Sequence, residues 1–215
     1  MASKEKKAAK RAAEAAAAKK QKTTRLVIII AAAVLLAAAI LIPVLTKKTV
    51  PACSAVIDIR DYGTVTFRLE SEKAPVTCAN FIELAESGFY DGLTFHRIIE
   101  GFMMQGGDPQ GNGTGGSDKN IKGEFAANGV DTGLSHTRGA VSMARSQAYD
   151  SASSQFFIVH QDSTYLDGQY AVFGYVTEGM DVVDKVCTEA KPVDNNGTIP
   201  ASAQPVINSV RIIYE

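Results

Sequence analysis

From Ser54 onward, apolar and polar residues alternate in short runs broken by turn residues. SAVIDIR (54–60) and TVTFRLE (64–70) carry the two-residue period of half-buried strands around the turn DYG, and predict a hairpin. APVTCANFIELAESG changes to a helical period. Pro75 suits the first helical position and Gly88 the residue past the end, which predicts a helix over 75–87. Strands follow at TFHRII (94–99) and FMMQGG (102–107), then a stretch rich in Gly, Asn, Asp and Ser over 108–138. Strands resume at 140–145, 154–160 and 170–176, a second helix at 180–190, and a closing strand at 205–215. Eight short, mostly alternating strands predict a mainly-β fold. That number suits a closed eight-stranded antiparallel barrel filled by its own side chains, and closure removes exposed edges. An unstructured loop of about 30 residues is uncommon in a compact domain and points to function.

Before Ser54 the pattern is different. LVIIIAAAVLLAAAILIPVL (26–45) has no charge, and ~20 apolar residues are what a helix needs to span a bilayer. A cleaved signal core is usually ~7–15 residues, so the run reads as an uncleaved transmembrane anchor, with a cleaved signal as the alternative. Charge changes this picture from a bare span to an oriented one. Residues 1–25 hold nine of the 22 basic residues and two of the 23 acidic ones, leaving 13 basic and 21 acidic in the remainder. A basic flank favours a cytoplasmic N-terminus. The expected organisation is a basic cytoplasmic tail (1–25), a single-pass anchor in the cell membrane (26–45), a linker (46–53), and an extracytoplasmic domain (54–215). The Ala- and Lys-rich tail is read as a topology signal rather than a nucleic-acid-binding arm. VPAC (50–53) raises a second possibility, processing or lipid attachment at Cys53, although Lys47 and Lys48 separate it from the apolar run.

The candidate chemistry is mostly excluded. GGDPQGNGTGG (106–116) lacks the Lys-Ser/Thr ending of a phosphate loop, and no predicted helix follows it. Read as a calcium loop from Asp108, it offers Gln110 and Lys119 where Asp/Asn and Glu are needed. Its glycines serve backbone geometry and close approach instead. His96, His136 and His160 share no metal-ligand spacing, so structural roles are expected. Cys53, Cys78 and Cys187 form no disulfide framework, and no GxSxG elbow is present. Neither metal nor cofactor is expected.

Arg97 stands out, because a charge in the apolar run FHRIIEGFMMQGGD (95–108) needs a partner or a task. Alternation places Phe95, Arg97 and Ile99 on one face. A two-residue turn, Glu100-Gly101, sets Arg97 opposite Met104. A three-residue turn with Gly101 left-handed sets it opposite Gln105. The second option offers an uncharged hydrogen-bond acceptor. An arginine snorkelling to solvent at the rim is the plain alternative.

FHRIIEGFMMQGGD, GNGTGG, VSMA, SQFFI and LDGQYAVFG, in this order, resemble the cyclophilin family of peptidyl-prolyl cis/trans isomerases, its bacterial members most. The likeness covers roughly 54–214. It implies an eight-stranded antiparallel barrel capped by two helices, and rotation about X–Pro bonds without a cofactor. It implies a catalytic Arg97 positioned by Gln105, and a proline pocket of Phe102, Met103, Phe157 and Leu166. Gln155, Ala144 and Gly113 fall in the implied substrate groove. Three positions depart from the family pattern. Tyr165 replaces a tryptophan, which argues against strong cyclosporin binding. Tyr170 replaces a pocket histidine. Arg145 replaces a groove asparagine and would favour acidic residues before proline. The expected partners are proline-containing unfolded or partly folded polypeptides and, through 26–45, the lipid bilayer. The protein is expected to be monomeric and to assist folding of exported proteins. The alternative is a proline-peptide binding or chaperone module with incidental isomerase activity.

Overall fold

The computed structural model of the protein describes residues 51–215 and, before them, Lys22 alone. The basic tail, the apolar run 26–45 and most of the linker lie outside the described residues. Within the described residues no helix is long and apolar enough to cross a membrane.

The chain runs β1 (Cys53–Ile59), β2 (Gly63–Leu69), α1 (Pro75–Glu86), β3 (Thr94–Ile99), β4 (Met103–Asp108), β5 (Ala140–Met143), β6 (Phe156–Val159), β7 (Val172–Glu178), α2 (Met180–Glu189) and β8 (Ile207–Tyr214). Every strand and helix predicted after Ser54 is present, but several ends move. β5 stops at Met143, short of Arg145, whose guanidinium bonds the Gln169 carbonyl. β4 begins at Met103 because Phe102 is used in the preceding turn. Cys53, weighed as a lipid-attachment residue, is fully buried as the first residue of β1. Burial pushes all three free thiols up, Cys187 to about 12.

The strands form one antiparallel sheet in the order β3-β4-β6-β5-β7-β2-β1-β8. Its end strands, β3 and β8, share no ladder; the isolated bridge of Thr94 with Val206 falls one residue before β8 begins. The sheet is therefore open and curled, where a closed barrel was expected. The free edge of β3 is still covered. Phe95 donates to the Pro205 carbonyl (3.0 Å), Ile98 to the Gly197 carbonyl (2.8 Å), and the His96 carbonyl accepts from Ile199 (2.9 Å).

The concave side holds the main core. Phe81 of α1 is its hub, with ring centroids 5.5 Å from Phe67, 5.1 Å from Tyr90, 5.6 Å from Phe156 and 5.2 Å from Phe173. A second, smaller cluster of Met103, Ala140, Phe157, Val159 and Val172 packs on the opposite side of the central strands. β5 and β6 are thus buried on both faces, and Phe156 and Phe157 point into different clusters.

The β3–β4 hairpin has two offsetting bulges: Gly107 is extra on β4 and His96 is extra on β3. The His96 bulge breaks the alternation. Phe95 and Ile98 belong to the main core, whereas Ile99 packs on the outer cluster and Arg97 lines the cavity there. Phe95 is therefore not on the face of Arg97, contrary to the expectation from a simple two-residue period.

The long loop is tied down by two buried carboxylates. Glu124 caps α1, whose N-cap residue, Ala74, supplies no side-chain acceptor. It accepts from the backbone of Val76 (3.1 Å) and Thr77 (2.8 Å) and from the Thr77 hydroxyl (2.7 Å). Asp108 gathers the Gly-rich turn, accepting from the backbone of Gln110 (2.8 Å), Asn112 (3.1 Å) and Gly113 (2.6 Å). A Cβ at position 115 would collide with the Asp108 carboxylate, which explains the glycine there.

Removing the Glu124 cap leaves buried helix-terminal N–H groups unpaired. Glu124→Ala is expected to lower stability by about 1–3 kcal/mol, or several degrees in melting temperature, with Glu124→Gln recovering part. An unchanged thermal midpoint in Glu124→Ala would contradict the capping role. Stability should also depend on pH. Burial drives the pKa of His96 and His136 down despite nearby Asp108 and Asp167. For Asp108, burial alone would raise the pKa, but four backbone N–H groups together hold it below the usual range. In all three cases the unfolded chain binds protons that the native chain does not. Urea midpoints should therefore fall as pH drops below about 6.5, and fall further below about 4. A midpoint that rises between pH 7 and 5 would refute this.

Candidate active site

The site begins with the β3–β4 turn. It has three residues, Glu100-Gly101-Phe102, with Gly101 left-handed at φ 77°, and it places Arg97 opposite Gln105 rather than Met104. Of the two sequence alternatives the structure selects this one. His160 locks the turn from the side: its Nδ1 accepts from Gly101 N–H (2.9 Å), and its backbone N–H donates to the Phe102 carbonyl (2.8 Å). With Nδ1 accepting, the proton sits on Nε2, which faces Asp184 of α2 at 3.1 Å.

Arg97 is half-buried and reaches over the outer cluster. Its Nε donates to the Asn196 carbonyl (2.7 Å) and its Nη1 to Gln105 Oε1 (3.2 Å), with the guanidinium carbon 5.9 Å from the Phe102 ring centre. Burial pushes its pKa down from the arginine range, against Tyr170, Asp194 and Tyr165, yet arginine stays charged at neutral pH. Among the described residues Arg97 has no carboxylate within ion-pair distance.

A chain of neutral amides holds it. Gln155 Nε2 donates to the carbonyls of Gly113 (3.2 Å) and Gly115 (2.7 Å). Its Oε1 is left to accept from Gln105 Nε2 (2.8 Å). Gln105 Oε1 then accepts from Arg97. Each amide's polarity is set by the one before it.

Beside Arg97 lies a cavity of about 240 Å³ walled by Phe102, Met103, Ala144, Phe157, Leu166 and Tyr170. Behind it the His136 ring lies parallel to Phe157, centroids 5.9 Å apart and planes 12° apart. His136 Nδ1 is 2.8 Å from Asp167 and Nε2 is 3.0 Å from the Ser142 hydroxyl. A neutral ring that donates to Asp167 and accepts from Ser142 satisfies both contacts. Asp167 also accepts from the Ser135 hydroxyl (2.6 Å) and the His136 backbone (2.7 Å), which anchors the turn carrying Leu166.

A second cavity of about 380 Å³ adjoins the first, sharing Gln105, Ala144 and Arg145 with it. Gly113 and Gln155 line this second, polar cavity and not the apolar one. Tyr165 lines neither. It is 66% exposed, its ring leaning on Phe102 at 6.0 Å. Sequence reasoning missed Asn196, whose contact with Arg97 spans 99 residues and leaves no local signal. It also missed the His136–Asp167–Ser142 support. The serines around Arg145 in SQAYDSASS (146–154) were a legible hint of a polar wall.

The same region is similar to known proteins. The family model for cyclophilin type peptidyl-prolyl cis-trans isomerases matches residues 55–212. "Peptidyl-prolyl cis-trans isomerase B" of Bacillus subtilis is 49% identical over 123 residues, 57% of this chain and 82% of that one. "Peptidyl-prolyl cis-trans isomerase-like 2" of Rhizopus delemar is 45% identical over 137 residues, 63% of this chain but only 25% of the longer relative. Among solved structures, a cyclophilin type isomerase of Cryptosporidium parvum, determined in the presence of the dipeptide Ala-Pro, superposes with a TM-score of 0.66 at 29% identity. It covers 75% of this chain and 99% of that one. With the family's model matched across the described sheet and both cavities, this chain belongs to the cyclophilin type peptidyl-prolyl cis-trans isomerases.

Proposed function

We propose that the domain catalyses rotation about X–Pro peptide bonds, with Arg97 as the catalytic group. The observation that carries this is a guanidinium held by Gln105 and a backbone carbonyl, unneutralised, at the mouth of an apolar cavity.

An X–Pro bond isomerises over tens of seconds or more unaided, because the C–N bond is partly double; the barrier is about 20 kcal/mol. In the twisted transition state conjugation is lost and the proline nitrogen regains a lone pair. That nitrogen accepts almost nothing in the planar ground state. A donor aimed at it therefore stabilises the transition state selectively. Arg97 supplies the donor, and no proton leaves it. The proline ring seats among Phe102, Met103, Phe157 and Leu166 while the preceding carbonyl turns. Gln155 and Gly113 lie along the adjoining groove, where the flanking peptide passes. The reaction so described draws on no metal or cofactor.

The clients that fit the reading are proline-containing, unfolded or partly folded chains. The apolar run 26–45 and its basic flank support a single-pass anchor with a cytoplasmic N-terminus. That topology would place the domain outside the cytoplasm, acting on exported proteins. Intact mass of the native protein checks whether residues 1–50 are retained.

Arg97→Ala is expected to reduce catalysed cis/trans exchange of an X–Pro peptide by on the order of a hundredfold while leaving the thermal midpoint near that of the unaltered protein. Gln105→Ala, which frees the guanidinium to wander, should lose about tenfold. Exchange measured by two-dimensional NMR decides it. Undiminished catalysis by Arg97→Ala would sink the assignment.

A further inference from the structure

Arg145 stands on the rim shared by the two cavities, partly buried, with all three guanidinium nitrogens engaged. Nε and Nη2 donate to the Gln169 carbonyl (3.0 and 2.8 Å), and Nη1 donates to the carbonyls of Ser146 (2.8 Å) and Gln147 (3.3 Å). The guanidinium carbon lies 4.6 Å from the Tyr170 ring centre and 5.1 Å from those of Phe125 and Tyr149. One side chain therefore joins three segments: the long loop at Phe125, the β5–β6 connection at 146–149, and the chain entering β7 at 169–170. Among the described residues no carboxylate is within ion-pair distance of it. What holds it is a planar fork on carbonyls and a flat face on rings.

The segment at 169–170 matters most to the site. Leu166 and Tyr170 both wall the proline cavity, and the turn between them is anchored twice. Asp167 holds it through Ser135 and His136. Gln169 N–H closes the turn on the Leu166 carbonyl (3.0 Å), and the Gln169 carbonyl is gripped by Arg145 from 24 residues away. Arg97 is held separately, by Gln105 and the Asn196 carbonyl, and Arg145 bonds to neither.

We infer that Arg145 is a positioning residue for the reaction, a clamp that sets the Leu166–Tyr170 wall of the proline pocket, and that it works by its planar shape and not by its charge. This rests on the isomerase reading above. An apolar wall grips the proline ring alike in the ground state and the transition state, so a displaced wall costs KM and spares kcat. A lysine would keep the charge. It is a point charge on a flexible stem, and it cannot grip one carbonyl with two nitrogens while lying flat on a ring.

The test follows catalysed exchange of an acetylated, amidated Ala-Ala-Pro-Ala peptide by NMR across peptide concentrations, with the protein of residues 1–215. Arg145→Ala is expected to raise KM about three- to tenfold with kcat within about twofold. Arg145→Lys is expected to raise KM nearly as far. A KM unmoved by Arg145→Ala, a loss confined to kcat, or full rescue by Arg145→Lys overturns the inference while leaving the isomerase reading intact. Absence of catalysis by the unaltered protein overturns both. A second measurement needs no variant: the Nε–H signal of Arg145 should persist under conditions where an unbonded arginine Nε–H has exchanged out of the spectrum. Exchange as fast as that of free arginine would show that the clamp does not form.

Discussion

A carboxylate beside Arg97 would hold it more firmly than Gln105 does, and would cancel the charge on which its proposed role depends. The guanidinium must instead be fixed by acceptors that carry no charge. The domain meets that constraint with a chain of amides whose direction cannot reverse. The carbonyls of Gly113 and Gly115 accept only, so Gln155 must turn its NH₂ toward them and its oxygen toward Gln105. Gln105 must then turn its oxygen toward Arg97. The start of the chain is held by Asp108, a buried carboxylate whose charge is spent on backbone N–H groups at a distance from the guanidinium. The Gly-rich turn thus acts as a rigid source of two carbonyls.

The second requirement is an apolar surface on the outside of a sheet. Central strands that were polar on that side would leave the pocket without walls. β4, β5 and β6 solve this by being buried on both faces, so that Phe156 anchors the inside while Phe157 forms part of the site. The outer cluster needs support of its own. The neutral His136 ring lies flat against Phe157, held between Ser142 and Asp167. The same Asp167 secures the turn that carries Leu166. Pocket floor and pocket wall therefore share one buried polar network, and each of its groups is paired.

Some of this was legible in the sequence, and the limits follow from distance along the chain. Strand and helix positions came from periodicity, because alternation and capping residues are local. The β3–β4 hairpin was legible down to two alternatives, since Gly101 permits the three-residue turn without enforcing it. The His96 bulge was not legible. It offsets a second bulge at Gly107 across the hairpin, and a one-residue slip moves Phe95 to the other face. Pocket residues such as Phe102 and Phe157 came from resemblance, not from pattern, because an apolar residue in a strand looks the same on either face. Glu124 and Asn196 were invisible for a further reason. They act on α1 and on Arg97 across 47 and 99 residues, through contacts that only the assembled fold creates.

The three positions that the resemblance marks as departures, Tyr165, Tyr170 and Arg145, fall into two groups once their surroundings are known. Tyr165 stands apart, exposed and leaning on Phe102. Arg145 and Tyr170 form one unit, the guanidinium 4.6 Å above the phenol ring. A groove arginine needs a flat, electron-rich surface if it is to be oriented without being neutralised, and Tyr170 provides it from the pocket side. Phe125 and Tyr149 provide it from the loop side. A tyrosine at 170 in turn keeps the pocket wall apolar along its ring. A histidine there would offer Arg145 a second cation at low pH and a poorer surface at high pH. The two residues are therefore best understood together: Tyr170 stands in the wall of the apolar cavity, and Arg145 stacks on it at the rim shared with the polar cavity.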